Sequence, residues 1–302
     1  MKQELFPEIA DSGLRIDKYL SSVNEQLSRS YIQKLLKSGL VLVDGKPVKA
    51  SYQVDEGDVI SLDIPEAVEP EIEPENMDLD ILYEDQDVIL VNKPKGMVVH
   101  PAAGHYSHTL VNGLMHHCKD QLSGINGVMR PGIVHRIDIT GVIIACKNDM
   151  AHNSIAAQLK EHSITRRYQA IVHGVLKDDA GTVEGPIGRH STDRKKMSIN
   201  YNNGKSAVTH YKVLKRFRQY THVECRLETG RTHQIRVHMA SIGHPLLGDL
   251  VYGPGKCPIP GLQGQTLHAG VLGFIHPRTR EYMEFTAPLP EYFAKLLNTL
   301  PE

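Results

Sequence analysis

Apolar residues recur at helical spacing twice near the start of the chain. Leu14, Ile16, Tyr19 and Leu20 open one pattern that ends near Leu27; Tyr31, Ile32, Leu35 and Leu36 carry a second, which Ser28 or Ser30 can cap and Gly39 can stop. The period then changes to that of strands. Residues 40–43, the Asp44-Gly45 turn, Val48 and residues 59–64 read as short strands joined by tight turns. Residues 66–80 hold seven acids, no base, and both Pro70 and Pro74, the composition of an extended, self-repelling connector. Beyond it, residues 88–92 are an apolar strand that exits through Lys93-Pro94 and Gly96. Further strand-like runs lie at 142–145, 171–172, 208–213 and 222–227, and helical patterns near 109–117, 150–162 and 290–300. Strands outnumber helices and do not alternate with them one for one. The pattern therefore predicts an α+β protein, with a mixed, mainly antiparallel sheet and flanking helices in residues 81–302, a connector at 66–80 and a small module at 1–65.

The 302 residues suffice for two buried cores. Net charge is −1, but it is unevenly spread: residues 81–302 carry 26 Lys and Arg against 18 Asp and Glu. A body with eight net positive charges points to a polyanionic partner, because each cation that meets a phosphate releases counterions. No stretch approaches the roughly 18 apolar residues of a membrane span, and the first residues lack the apolar core of a secretory signal, so a cytoplasmic protein is expected. Four scattered cysteines, Cys118, Cys146, Cys225 and Cys257, suggest free thiols.

Three segments carry candidate chemistry. Gly132-Ile133-Val134-His135-Arg136-Ile137-Asp138 is followed by Gly141 and an apolar run, which places Asp138 in a loop between two β-prone segments. Arg166-Arg167-Tyr168-Gln169-Ala170 and Gly230-Arg231-Thr232-His233-Gln234-Ile235-Arg236-Val237-His238 are the others. A carboxylate can attack an electrophilic sugar carbon, a guanidinium beside it favours its ionised form, and a tyrosine can stack on a planar base and relay a proton. Together these suit chemistry on a nucleoside. In isolation, Asp138 could equally cap a turn or pair with Arg136, and Tyr168 could be a core aromatic. His233 and His238 lack ligand spacing and read as satisfied loop histidines.

These segments, with the continuation through residue 253, resemble the RluA/RluD-type ribosomal-RNA pseudouridine synthases, from about Ile81 to the C-terminus. Residues 14–20, 28–39 and 41–46 resemble the alpha-L RNA-binding domain of the S-four type. The resemblance implies a pseudouridine synthase fold behind a small RNA-binding domain, and isomerisation of uridines in structured RNA, with large-subunit ribosomal RNA or a ribosome assembly intermediate as the expected substrate. It implies that Asp138 is the nucleophile at the anomeric carbon, or abstracts a ribose proton in a competing glycal scheme. Tyr168 would stack on the base and assist proton removal, Arg236 would pair with Asp138, and Ile235 would wall the base. Arg136 would fill the space left by the everted nucleotide. Arg231 reads as a loop or RNA-backbone contact. Residues 189–196, including Arg189 and Lys195, read as a mobile basic loop that grips RNA, and Arg29, Lys34 and Lys37 as the backbone contacts of the small domain. No cofactor and no metal are implied, and a monomer is expected.

One departure stands out. The family usually has two variable residues and two hydroxyl residues between the catalytic Asp and the glycine, whereas here only Ile139 and Thr140 separate Asp138 from Gly141. The loss is about 6–7 Å of extended reach at roughly 3.3 Å per residue. Either activity is impaired, or the loop compensates by another path, or two residues are missing from the chain. The first leaves an RNA-binding protein of the same fold with lost catalysis as the alternative function. A histidine-dependent metal hydrolase acting on RNA is a second rival, though no His, Asp and Glu spacing supports it.

Overall fold

The computed structural model of the protein describes residues 2–24, 27, 29–64, 72–101, 105–119, 121–125, 130–193 and 195–302. The chain divides into two compact units, Met1–Glu69 and Pro70–Glu302. Among the described residues no helix is long and apolar enough to cross a membrane.

In the first unit, β1 (Lys2–Leu5), β2 (Val41–Val43), β3 (Lys46–Pro47) and β4 (Ile60–Asp63) form an antiparallel sheet in the order β1-β4-β2-β3. The helices α1 (Ile16–Val23) and α2 (Arg29–Lys37) bury Ile16, Tyr19, Leu20, Ile32, Leu35 and Leu36 against the inward residues of β2 and β4. Those are the apolar positions of the two helical patterns. Helix α1 stops short of Leu27, and the two candidate caps are Ser28 and the Ser30 side chain, both outside the described residues. Asp17, on the buried face of α1, accepts hydrogen bonds from Arg15, Gln33 and Arg29. Burial alone would raise this carboxyl, but those donors outweigh it and hold it well below the usual carboxylate range. Arg29, expected as an RNA contact, is thus engaged in an ion pair of 3.0 Å, whereas Lys34 and Lys37 are exposed.

The second unit begins with a correction. Residues 72–80, expected as part of an extended connector, lie along their own unit: Ile72 is buried in its core, and the Glu75 N–H donates to the Asn112 carbonyl while Asn112 Nδ2 donates to the Glu73 carbonyl. The rest of that connector, 65–71, lies outside the described residues. A nine-stranded sheet follows, built from β5 (Ile81–Glu84), β6 (Val88–Lys93), β7 (Thr140–Cys146), β8 (Thr165–His173), β9 (Ala180–Glu184), β12 (Val208–Arg216), β13 (Tyr220–Leu227), β14 (Leu267–Ile275) and β15 (Tyr282–Thr286). Its order is β5-β6-β7-β14-β8-β13-β12-β9, with β15 also paired to β14. A separate hairpin joins β10 (Ile187–Arg189) to β11 (Met197–Ile199). Helices α3 (Leu110–Cys118), α4 (Asp149–Lys160), α5 (Gln234–Ser241) and α6 (Glu291–Thr299) flank the sheet. Strand β7 is buried at every position, which is why its sequence is an unbroken apolar run instead of an alternating one.

All pairings in this sheet are antiparallel except one, the parallel contact of β7 with β14. There the register puts Ala269 opposite Gly141 on one side and opposite Tyr168 on the other. The segment before Asp138 was expected to be β-prone, but it makes a single bridge, Ile133 to Ala145, so Asp138 leads directly into β7 from a loop. Ile139 is buried in the core, Thr140 Oγ1 lies 2.9 Å from His268 Nδ1, and Gly141 adopts φ +112° with its backbone against Ala269. A Cβ at Gly141 would meet the Ala269 carbonyl oxygen at 2.1 Å. Replacing Gly141 with Ala combines positive-φ strain with this overlap, so it should cost about 3 kcal/mol or more. Urea denaturation of the full chain measures this, and a loss below about 1 kcal/mol would mean that the β7–β14 contact adapts freely.

Candidate active site

The site is organised by helix α5. Gln234 at its start is buried and uses its whole amide: Oε1 accepts from Thr229 Oγ1 (2.7 Å) and the Arg231 N–H (2.9 Å), while Nε2 donates to the Val208 carbonyl (2.9 Å) and Thr209 Oγ1 (3.1 Å). That fastens the turn from Thr229 to strand β12. Two residues further along the helix Arg236 meets Asp249, with which it forms a bidentate pair, Nε to Oδ2 at 2.7 Å and Nη2 to Oδ1 at 2.9 Å. Asp249 Oδ1 also accepts the backbone N–H groups of Val251 and Tyr252, at 2.9 and 3.1 Å. With two nitrogens fixed, the remaining Nη1 faces Asp138 Oδ2 at 3.4 Å. Burial would lower the Arg236 pKa, but hydrogen bonding and charge from Asp249, then the charge of Asp138, raise it further. The cation is secure.

Asp138 is 60% exposed at its side chain while Arg236 is 7% exposed, so a reachable carboxylate rests on a buried guanidinium. His233 adds a second contact to Asp138, its Nε2 lying 3.8 Å from Oδ2. This residue is left-handed at φ 57°, and its Nδ1 lies 2.8 Å from Tyr252 Oη. That phenol also accepts the Met197 N–H at 2.8 Å, which ties His233 to the β10–β11 hairpin. Burial and the Arg236 cation push the His233 pKa down against the pull of Asp138 and Asp249, which favours the neutral imidazole. His233 is thus a loop histidine with a hydrogen-bond partner, as expected, but one that also stands beside Asp138 at the cleft. His238 is instead a core residue of α5, bonded to Thr209 Oγ1 and the Gly185 carbonyl.

Asp138, Tyr168, Arg236, Arg136, Arg231 and Ile235 all line one cleft of about 1030 Å³. Tyr168 is half-buried, and burial raises its phenol pKa, with the Arg166 cation opposing and the Asp138 charge reinforcing the rise. Arg136 is exposed at the cleft, Ile235 is buried in its wall, and Arg231 Nε donates to the Ser206 carbonyl. Arg189 and Lys195 do not line it. They belong to the β10–β11 hairpin, and the segment expected to be mobile is knitted together: His190 Nδ1 accepts from the Thr192 and Asp193 N–H groups, and Asp193 Oδ1 from that of Lys195. Arg194 lies outside the described residues. The hairpin reaches the site through Met197, Tyr252 and His233.

Sequence reasoning missed Asp249, Tyr252 and Lys93. Lys93, read as a strand exit, is 1% exposed and donates to the carbonyls of Met97 (2.7 Å) and Pro94 (3.1 Å). Burial pushes its ammonium down to about 8 against the pull of the Asp138 charge. Its signal was a cation closing an otherwise apolar strand. One group of possible metal ligands, Asp85, Asp87 and His276, exists among the described residues, but Arg278 takes both oxygens of Asp87 at 2.7 Å and His276 binds Asp85 at 2.8 Å. None of the three lines the cleft.

The chain matches the RNA pseudouridylate synthase family over residues 87–241 and the S4 domain over residues 14–60. It is 57% identical over 288 residues to an uncharacterized RNA pseudouridine synthase, YlyB, of Bacillus subtilis (strain 168), covering 95% of this chain and 94% of the relative. It is 46% identical over 299 residues to ribosomal large subunit pseudouridine synthase D of Zymomonas mobilis, with 95% and 94% covered. Among solved structures it resembles human RNA pseudouridylate synthase domain containing 1, with a TM-score of 0.58 and 25% identity, covering 74% of this chain and 96% of that one.

Asp249 anchors the site, and its carboxyl is held low: burial opposes, but Arg236 and the two N–H donors prevail. Removing one partner of such a buried pair should cost about 3–5 kcal/mol, so Asp249→Asn should unfold at markedly lower urea. Because the folded carboxyl titrates below its ordinary value of 3.8, the wild-type advantage should be full above that pH and shrink as the pH falls beneath it. A difference that does not shrink on acidification would place its origin elsewhere.

Proposed function

Since this chain belongs to the RNA pseudouridylate synthase family and is an RNA pseudouridine synthase by that membership, we propose that it isomerises specific uridines of structured large-subunit ribosomal RNA with Asp138 as the nucleophile. The ribosomal assignment follows the names of relatives such as that of Zymomonas mobilis, and the eight net positive charges of residues 81–302 suit a polyanionic substrate. The S4 domain match supports an RNA-anchoring role for the first unit, with Lys34 and Lys37 its exposed cations and Arg29 as a further contact. A monomer acting in the cytoplasm completes the reading.

The observation that carries it is the convergence of an exposed carboxylate, a fixed guanidinium and a half-buried phenol on one cleft. An everted uridine offers its anomeric carbon to Asp138 while Tyr168 and Ile235 take the faces of the base, and Arg136 occupies the gap left in the stack. Attack by the carboxylate breaks the N1–C1′ bond, and uracil departs with the bonding pair. Turned about, it returns C5 to C1′ and displaces Asp138. The proton on C5 leaves through Tyr168, and N1 gains one, so the sum is an isomerisation. In the glycal variant Asp138 first removes the C2′ proton, and the same three groups serve. Arg189 and Lys195 on the hairpin and Arg231 at the cleft supply cations for the strand.

The loop after Asp138 gives the rival reading of an RNA-binding protein without turnover. Against it, Ile139, Thr140 and Gly141 are each anchored, by the core, by His268 and by Ala269, and the carboxylate still meets Arg236. Nucleoside analysis of RNA after incubation decides between them. The natural protein should produce pseudouridine, and Asp138→Asn should lose at least about a thousandfold in rate while keeping RNA affinity within a few fold. No product from either protein, with affinity intact, supports the rival; equal product from both removes Asp138 from the mechanism.

A further inference from the structure

Arg166 plays no part in the reaction above, yet it lines the same cleft. It precedes Tyr168 by two residues on β8 and so shares its face of the strand, while Arg167 between them points the other way and pairs with Glu284 at 2.5 Å. Two arginines are buried among the described residues, Arg236 and Arg166. Arg236 has Asp249. Arg166, 7% exposed, has Nη2 donating to the Glu228 carbonyl at 3.3 Å, an Nε–H with no acceptor, and no carboxylate among the groups that act on its charge. A buried cation in that state is costly, and a fold keeps such a group where an incoming partner completes it. Gly230 is what lets the guanidinium lie there: a Cβ on it would collide with Arg166 Nη1. Arg231 and Lys205 line the same cleft and make its potential positive.

We infer that Arg166 is the seat of a backbone phosphodiester of the RNA, the one adjoining the everted uridine, which its guanidinium binds where it lines the cleft. A guanidinium matches the planar, two-oxygen face of a phosphodiester, and a charged acceptor compensates a buried cation better than a base carbonyl does. The inference rests on the proposed reaction, because eversion is what draws a backbone phosphate to the depth of Tyr168. It adds a substrate-binding residue beside the phenol and leaves the chemical step to Asp138.

The test reads binding apart from turnover. In the Asp138→Asn protein, Arg166→Gln should raise the Kd for a uridine-containing stem-loop RNA about tenfold and reduce the slope of log Kd against log salt by about 0.7, the value of one phosphate contact on a single strand. Arg166→Lys should retain that slope and lose part of the affinity. With Asp138 present, Arg166→Gln should raise KM by a similar factor at nearly constant kcat. An unchanged salt slope in a variant that melts with the parent protein overturns the assignment. So does a fall in kcat with altered pH dependence and unchanged KM, which would make Arg166 a positioning residue for Tyr168. Should Arg166→Gln fail to fold, RNAs with one uncharged methylphosphonate linkage on either side of the target uridine replace it: one linkage should weaken binding to the parent protein about tenfold, and no loss at either refutes the seat. Failure of the proposed reaction shows separately, as absence of pseudouridine with the salt response intact.

Discussion

A guanidinium buried at the base of a cleft can face only one way when a carboxylate holds two of its nitrogens. The pairing of Arg236 with Asp249 does this, and the rest of the site depends on it. Water would otherwise compete for both charges. Here Asp249 is fully enclosed and receives two backbone N–H groups besides the guanidinium, so the desolvation cost is offset by hydrogen bonds with good geometry. The free edge of Arg236 then presents a fixed positive charge to Asp138, which stays accessible. Fixed, oriented charge is worth more in a cleft than the same charge on a mobile surface side chain, because no reorganisation is needed when the reacting group arrives.

The sheet supplies the second constraint. Asp138 and Tyr168 are thirty residues apart and on different strands or loops, yet Ala269 of β14 pairs with Gly141 on one flank and Tyr168 on the other. The parallel contact of β7 and β14 is the one place where the sheet departs from antiparallel pairing, and Asp138 lies just before it. A glycine is required there because β7 comes so close to the Ala269 backbone that no side chain fits. The shortened loop is thereby accounted for in part: its few residues have firm contacts of their own, and Asp138 needs no long path to reach Arg236.

How much of this was legible in the sequence follows from how each element buries its residues. Helices α1, α2 and α6 and strand β4 show their faces plainly, since apolar and polar positions separate at the expected period, while β6 shows as an apolar run because it is buried on both faces. Helix α5 does not. Its Gln234, Arg236 and His238 are as buried as Ile235 and Val237, so no polar face marks the period. Strand β14 is obscured by Gly270, Gly273 and His268, residues that tolerate close backbone approach and a buried hydrogen bond to Thr140 in place of side-chain packing. The motif segments contain Asp138, Tyr168 and Arg236, which the fold brings to one cleft. Asp249 is 13 residues past its arginine in an ordinary turn sequence, and only the fold reveals the pairing. The basic hairpin was legible as charge but not as structure, because His190 and Asp193 organise it through side-chain acceptors that composition does not show.

The cleft's electrostatics tie these features together. Lys93, Arg166 and Arg236 are all buried about it, and each meets a different compensation: backbone carbonyls for Lys93, a carboxylate for Arg236, and a single carbonyl for Arg166. The potential they create is least balanced at Arg166, to which Arg231, lining the same cleft, adds a second cation. Asp138 lies against Arg236 and His233, where the positive charge is already answered. Unanswered charge is what an anionic strand would seek in such a cleft, and the carboxylate would repel its phosphates. In the proposed reaction the sugar, the neutral part of a nucleotide, is therefore the part left to face Asp138.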